Sequence, residues 1–181
     1  MKIAVYCASS TAVPKEALQL GFDLGVEIAK LGHELVWGGG AISVMGEVAR
    51  GARAQGGVTI GVIPERLTNV EFIDSEASQM HVVKDMRERK GMIENISDGF
   101  IALPGGMGTL EELFEIWVGK YLGFHNKPIV VLDPDGVYDS LRTALRDLTE
   151  KKFLKPGLHD LVRWCNRIDE SLQHLESSQS A

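Results

Sequence analysis

One stretch of the sequence decides the fold: Leu103-Pro104-Gly105-Gly106-Met107-Gly108-Thr109-Leu110-Glu111-Glu112. The apolar run at 99–103 predicts a buried strand before the glycines, and the apolar pattern at 113–117 predicts a helix after them. The order strand, glycine turn, helix places bare backbone N–H groups and a helix N-terminus at the carboxyl edge of a parallel sheet. Such a turn is typical of an anion site, most often one for phosphate.

Thr109 and Glu112 have the spacing of a capping box, in which Thr109 caps the helix and Glu112 bonds back to the helix start. A functional role for Glu112 is compatible with this spacing, and the pattern leaves both open. The helix dipole stabilises an ionised carboxylate in the first turn by about 0.3–1 kcal/mol. An ionised Glu112 beside a phosphate site can polarise a water molecule or face a developing cation.

The length of 181 residues predicts one domain over 1–175 and a frayed tail at 176–181. The net charge of −6 argues against a nucleic-acid partner, because binding to a phosphate backbone requires a basic face. Cys7 and Cys165 lie far apart and have no metal-ligand spacing, so we expect no metal. The chain begins with a strand pattern, not a signal peptide, and no apolar run is long enough for a membrane span. We therefore expect a cytoplasmic protein with no membrane partner.

Strand and helix patterns alternate along the chain. Apolar runs predict strands at 3–7, 34–37, 58–63, 81–83, 99–103, 127–133 and 161–164. Because these runs are apolar on both faces, they predict an α/β, three-layer Rossmann-like fold with a parallel sheet covered by helices on both faces. Three glycine- or serine-rich turns, at 8–11, 38–46 and 104–109, are expected to converge at the carboxyl ends of the strands.

A second strand–glycine–helix edge occurs where Gly38-Gly39-Gly40 follows a strand. This edge lacks a full G-x-G-x-x-G motif, because Ser43 stands at the position of the last glycine, and it lacks the Gly-Lys-Ser/Thr of a P-loop. Neither a standard dinucleotide site nor an NTPase site is supported.

Two parts of the sequence together resemble the LOG (lonely guy) family. They are the pair Arg89-Lys90 and the run at 97–112, which contains the family signature P-G-G-x-G-T-x-x-E in full at 104–112. The segments at 38–46 and 122–128 are also similar to the family, so the resemblance covers nearly the whole domain. Family members are cytokinin riboside 5′-monophosphate phosphoribohydrolases, which implies hydrolysis of an N-glycosidic bond to give a free base and ribose 5-phosphate.

The resemblance also implies residue roles. Arg89 and Glu112 correspond to the catalytic pair, and the turn at 105–109 corresponds to the 5′-phosphate site. Glu71, in the polar loop at 65–79, corresponds to a substrate contact. Members are usually homodimers with sites near the subunit interface, and they need no metal or organic cofactor. The full set of candidate substrate-binding residues is Ser10, Gly39, Gly40, Glu71, Lys90, Gly105, Gly106, Met107, Gly108, Thr109, Leu110 and Glu111.

These residue types suit the implied chemistry. Cleavage of a ribosyl–base bond passes through an oxocarbenium-like state, in which positive charge grows on the sugar and the base departs with negative charge. A carboxylate such as Glu112 can stabilise the sugar and activate water, whereas Arg89 can orient the substrate or favour the departing base. The sequence does not choose between the two roles of Arg89.

Other readings remain open on the sequence. If the signature at 104–112 is set aside, the basic cluster Arg87, Arg89 and Lys90 indicates a solvated helix face. The same motif serves a broader nucleosidase acting on AMP or other nucleoside monophosphates, and a related fold can carry a nucleotide-like cofactor without cleaving it. A lysine decarboxylase label is often attached to the family, but it requires pyridoxal phosphate on a buried lysine. No lysine here sits in an apolar strand-end context, and Lys90 belongs to a polar helix. The family usually has histidine where this chain has Arg87.

Overall fold

The structure is a computed structural model, and it describes residues 1–68 and 73–179. Seven parallel strands within these residues form one sheet, in the order β4-β3-β2-β1-β5-β6-β7. The strands are β1 (Lys2–Tyr6), β2 (Glu34–Trp37), β3 (Thr59–Pro64), β4 (Gln79–Val83), β5 (Gly99–Ala102), β6 (Ile129–Leu132) and β7 (Arg163–Cys165).

Six α-helices connect or follow these strands in the described part of the chain. They are α1 (Lys15–Lys30), α2 (Ser43–Ala54), α3 (Met86–Ile96), α4 (Met107–Tyr121), α5 (Asp139–Glu150) and α6 (Ile168–Gln179). Short 3₁₀ turns occur at Glu65–Leu67 and Leu158–Leu161.

Helices cover both faces of the sheet, as the apolar strand patterns predict. Side chains alternate along β1: Ile3 and Val5 join the core beneath α1, α2 and α6, whereas Ala4 and Tyr6 join the core beneath α3, α4 and α5. All four side chains are almost completely buried. The predicted three-layer Rossmann-like α/β fold with a parallel sheet is therefore confirmed.

The order of the strands reverses at the centre of the sheet. From β1 the chain moves outward through β2 and β3 to β4, and it then returns to place β5 on the other side of β1. The connections that leave the carboxyl ends of β1 and β5 turn to opposite faces of the sheet, since α1 packs with the first core and α4 with the second. A crevice forms where they separate, and in open α/β sheets this is where ligands bind.

The helix α6 was not expected from the sequence. Residues 176–179 were expected to belong to a frayed tail, but α6 continues to Gln179. Leu172 and Leu175 are buried against the first core, and the hydroxyls of Ser177 and Ser178 donate to the carbonyl of His174. The apolar spacing in this segment gives the helix one buried face, which stabilises it to its last turn. None of the helices described is long and apolar enough for a membrane span.

Candidate functional site

A cleft of about 310 Å³ lies at the carboxyl edge of the sheet, where β1 and β5 end. The loop after β1, the start of α2, the start of α3 and the first turns of α4 surround it. This arrangement brings together the three predicted turns, because all three follow parallel strands whose carboxyl ends meet at one edge. The cleft is lined by Cys7, Ala8, Ser9, Ser10, Met45, Leu67, Met86, Arg89, Gly106, Met107, Gly108, Thr109, Glu111 and Glu112.

The N-terminus of α4 forms one wall of the cleft. Gly106 is the N-cap residue in an extended conformation, and the helix begins at Met107. The first N–H groups of a helix have no carbonyl partner within it, so this end offers donors and a partial positive charge to an anion. Gly106 and Gly108 present no side chain, and a Cβ added at either would meet open space. The anion site predicted from the glycine turn therefore has a suitable geometry.

The predicted capping box is wrong. The helix starts two residues earlier than Thr109, so Thr109 lies in the first turn and its side chain is buried beside Gly105. The N-cap residue, Gly106, has no side chain with which to accept a hydrogen bond. Glu112 follows the first turn, too far from the helix start to bond back to it. Glu112 instead lines the cleft. Of the two roles that the sequence left open for it, the capping role is excluded and the functional role remains.

The carboxyl group of Glu112 is partly withdrawn from solvent. Burial raises the pKa of Glu112 from its ordinary value of 4.5 to about 7, and the positive charge of Arg89 opposes that rise. The sequence led us to expect a carboxylate kept ionised by the helix dipole; desolvation outweighs that effect here. Glu112 can therefore exchange a proton near neutral pH, as a general acid or base must.

Arg89 is almost completely buried, with 6% of its surface exposed. Its Nη2 donates to the carbonyl of Gly38 at 3.1 Å, and its Nη1 contacts the Sδ of Met86 at 3.7 Å. Its Nε has no acceptor within the described parts of the chain. A buried donor without an acceptor costs free energy, which an acceptor that reached Nε would recover. Arg89 lines the cleft, so part of its side chain faces the space in which a ligand would lie. The adjacent Arg87 is exposed and does not line the cleft.

The structure does not bring Lys90 into the cleft. Its ammonium group is bonded to the carboxylates of Glu111 and Glu115 on α4, at 2.8 Å from Glu115. These hydrogen bonds, with that to Glu111 first, raise the pKa of Lys90 above its usual value. Lys90 joins α3 to α4 and holds the Glu111 side chain at the rim. The predicted phosphate contact by Lys90 has no support in this geometry.

Gly39 and Gly40 also lie outside the cleft lining. The carbonyl of Gly39 accepts from the N–H of Asp74 at 3.0 Å, and that of Gly40 accepts from the indole N–H of Trp37 at 3.1 Å. The carbonyl of Gly38 accepts from Arg89, so each of the three glycine carbonyls accepts a hydrogen bond from within the protein. This segment supports the site from behind and does not form its surface.

The remaining predicted residues divide between the cleft and its support. Ser10 lines the cleft, and its carbonyl accepts from the hydroxyl of Ser43 at 2.6 Å. Gly105 lies behind the lining and donates its N–H to the Tyr138 hydroxyl, whereas Leu110 packs against the second core. Glu71 lies outside the described residues. The other predicted residues all line the cleft: Arg89, Gly106, Met107, Gly108, Thr109, Glu111 and Glu112.

The sequence analysis missed an apolar part of the lining. Met45, Leu67 and Met86 come from three different connections and all line the cleft. Met86 is 41% exposed, so part of its side chain is open to the cleft. Met45 lies within the predicted turn at 38–46 and Leu67 within the polar loop at 65–79, and neither position shows that the three converge.

Comparisons with known proteins match this chain over most of its length. A model of the family described as "possible lysine decarboxylase" matches residues 45–175. A protein of Mycobacterium tuberculosis named cytokinin riboside 5′-monophosphate phosphoribohydrolase is 49% identical over 171 residues, which cover 94% of this chain and 91% of that protein. A protein of the same name from Arabidopsis thaliana is 36% identical over 175 residues, which cover 97% of this chain and 81% of that protein.

Solved structures with the same fold are more distant in sequence. A molybdenum cofactor carrier protein of Chlamydomonas reinhardtii superposes with a TM-score of 0.75 at 23% identity, covering 99% of this chain and 98% of that one. A molybdenum cofactor binding protein of Rippkaea orientalis gives a TM-score of 0.74 at 22% identity, covering 97% and 95%. These similarities concern the fold alone.

We predict that Gly38→Ala displaces Arg89. A Cβ at Gly38 would lie 1.8 Å from Nη2 of Arg89, so the guanidinium must move or the backbone must shift. Overpacking of this kind costs about 1–3 kcal/mol, which urea unfolding measures. Gly91→Ala on α3 is the matched control, because its Cβ would meet open space, and we expect it to be neutral or stabilising by up to about 1 kcal/mol. Equal stability of the two variants would contradict the contact.

A second prediction follows from the raised pKa of Glu112. A carboxyl group with a higher pKa in the folded than in the unfolded state binds protons more tightly when folded, so the free energy of unfolding falls as pH rises from about 4.5 to about 7. We expect Glu112→Gln to lose this component, and its melting temperature to exceed that of the wild type more at pH 8 than at pH 5. Parallel pH profiles of the two proteins would show that Glu112 is not desolvated.

Proposed function

The chain belongs to the LOG family, and from that premise we propose that it hydrolyses the N-glycosidic bond of nucleoside 5′-monophosphates. A water molecule adds its hydroxyl group to C1′ of the ribose, the C1′–N bond breaks, and the remaining proton ends on the departing base. The products are a free base and ribose 5-phosphate. One observation carries the proposal: a desolvated carboxyl group and a buried guanidinium line the same cleft as an exposed helix N-terminus.

The phosphate is proposed to bind at the start of α4. The N–H groups of Gly106, Met107 and Gly108 lie at the cleft wall, where the helix dipole favours an anion. Binding the phosphate there supplies interaction energy remote from the bond that breaks, and this energy can orient the ribose. The net charge of −6 makes such local donors necessary for an anionic substrate.

Glu112 is proposed to act at the ribose. In its ionised form it stabilises the positive charge that grows on the sugar, and it accepts a proton from the attacking water. Its pKa of about 7 in the unliganded protein leaves a substantial fraction ionised at neutral pH. It lies one turn beyond the proposed phosphate site on the same helix, so we propose that the ribose lies against this turn.

Arg89 is proposed to serve the substrate through the charge of its guanidinium, which belongs to the lining of the cleft and whose buried Nε has no acceptor within the residues described. The other two nitrogens are engaged by Gly38 and Met86, so the guanidinium is fixed before the substrate arrives. A fixed cation beside the departing base favours its negative charge without reorganisation. Met45, Leu67 and Met86 then offer an apolar surface to the flat base.

The preferred base is proposed to be an N6-prenylated adenine, as the names of the relatives suggest, with AMP and other monophosphates as the alternative. A carrier without catalysis is a third candidate, since carriers share the fold, but a carrier does not need the ionisable pair Arg89 and Glu112. A decarboxylase with pyridoxal phosphate is disfavoured by the positions of the lysines. Such an enzyme needs a lysine with a lowered pKa in the site. No lysine of the described residues lines the cleft: Glu111 and Glu115 raise the pKa of Lys90, and Lys120, whose pKa is lowered by burial, lies at the other end of α4.

The proposed assembly is a homodimer in the cytoplasm. The family resemblance supports the dimer, and the exposed apolar side chains of Val118, Leu122 and Phe124 at the end of α4 offer a surface to a second copy. Size-exclusion chromatography with light scattering measures the assembly directly.

A base-release assay tests the proposed function. We expect the protein to release base from N6-prenylated AMP and AMP, and far more slowly from adenosine, which lacks the phosphate. We expect Glu112→Gln to reduce the release by at least about 10²-fold, while the affinity for ribose 5-phosphate changes only a few-fold. Glu150→Gln at the exposed end of α5 is the control and should retain activity. Tight binding of a monophosphate without any base released would favour the carrier instead.

A second pair of variants separates Arg89 from its neighbour. We expect Arg89→Ala to lower turnover by about 10²–10³-fold, because the charge lies in the cleft, where water is partly excluded. Arg87→Ala should stay within about threefold of the wild type, because its side chain is exposed outside the cleft. Steady-state kinetics with AMP measure both. If the two variants lost the same activity, α3 would contribute only a diffuse positive field.

A further inference from the structure

The turn before α4 is held by a residue far away in the sequence. The N–H of Gly105 donates to the hydroxyl oxygen of Tyr138 at 2.7 Å. The same hydroxyl oxygen lies 3.0 Å from the carbonyl oxygen of Gly105 and 3.2 Å from that of Leu103, so the hydroxyl can donate its proton to either carbonyl. A single hydroxyl group therefore binds the end of β5 and the first glycine of the turn at once.

Tyr138 is itself fixed in place. Its side chain is 5% exposed, and its ring packs edge-on against Trp164, with ring centroids 6.4 Å apart. The carboxylate of Asp133, at the end of β6, accepts from the N–H of Tyr138 at 2.8 Å and from that of Val137 at 3.0 Å. The hydroxyl position is thus set by the sheet through β6. Burial raises the pKa of Tyr138 to about 12, so the group stays neutral and can both donate and accept.

This contact changes which donors are available to an anion. Because the N–H of Gly105 is used by Tyr138, it cannot also bind a phosphate oxygen. The donors left at the turn are the N–H groups of Gly106, Met107 and Gly108, whose direction depends on the conformation of the peptide before them. A glycine pair has wide conformational freedom, so without an anchor several orientations of these groups would have similar energy.

We propose that Tyr138 is a positioning residue for the 5′-phosphate of the substrate. Its hydroxyl anchors Gly105 and thereby aims the N–H groups of the next three residues into the cleft before the ligand binds. The inference deepens the proposed function, on which it rests for the identity of the phosphate. Tyr138 touches neither the phosphate nor the ribose, and its effect is transmitted entirely through the backbone of the turn.

The test uses Tyr138→Phe, which retains the ring against Trp164 and removes only the hydroxyl. We expect the KM for AMP to rise about tenfold while kcat changes less than threefold, because pre-organisation of the phosphate site is lost and Glu112 and Arg89 stay in place. Calorimetry with ribose 5-phosphate should show a similar loss of affinity. Tyr121→Phe, whose side chain is partly exposed at the end of α4, is the control and should change neither quantity.

A second variant reports on the same chain of contacts. Asp133→Asn weakens the support of Tyr138 from β6, and we expect a smaller rise in KM in the same direction. An unchanged KM and an unchanged affinity for ribose 5-phosphate in Tyr138→Phe would overturn the proposal, whether or not the melting temperature falls. The calorimetric result does not require turnover. Failure of the wild type to release any base would therefore count against the proposed function alone, and the binding data would still decide the role of Tyr138.

Discussion

Burial of the Arg89 guanidinium is the constraint on which the site depends. Removing a permanent charge from water is unfavourable unless hydrogen bonds and opposite charge replace the lost hydration. Here the carbonyl of Gly38 replaces part of it, and the negative charge of an ionised Glu112 and of a bound phosphate can replace more. The proposed phosphate site would therefore also complete the electrostatic environment of Arg89.

This constraint explains why the chain places its glycines where it does. Gly38 must lack a side chain because the guanidinium fills the space that a Cβ would take. A Cβ at Gly106 or Gly108 would meet open space, so the lack of a side chain there leaves the start of α4 open to the cleft. The glycines of the two turns thus have different roles. Gly38 makes room for the Arg89 side chain, whereas Gly106 and Gly108 leave room for the approach of a ligand.

The two charged groups also control each other. Arg89 lowers the pKa of Glu112 against the larger effect of desolvation, and the balance lies near neutrality. This balance requires Arg89 on α3 and Glu112 on α4 to lie close together. The two helices meet because both pack on the same face of the sheet. Lys90 strengthens this meeting by bonding to Glu111 and Glu115, which makes the neighbour of Arg89 a structural residue and not a ligand-binding one.

The sequence by itself determined the layered fold and the parallel sheet, and it predicted an anion site, because apolar runs and glycine turns act through local geometry. The family resemblance, and not a local pattern, pointed to Arg89 and Glu112, and the capping-box pattern failed because the helix start depends on where β5 ends. Only the tertiary structure decided that Lys90, Gly39 and Gly40 support the site from outside, and that Tyr138 reaches the turn across 33 residues. Burial, pKa and the use of each backbone donor depend on segments that are distant in the chain, and no local pattern records them.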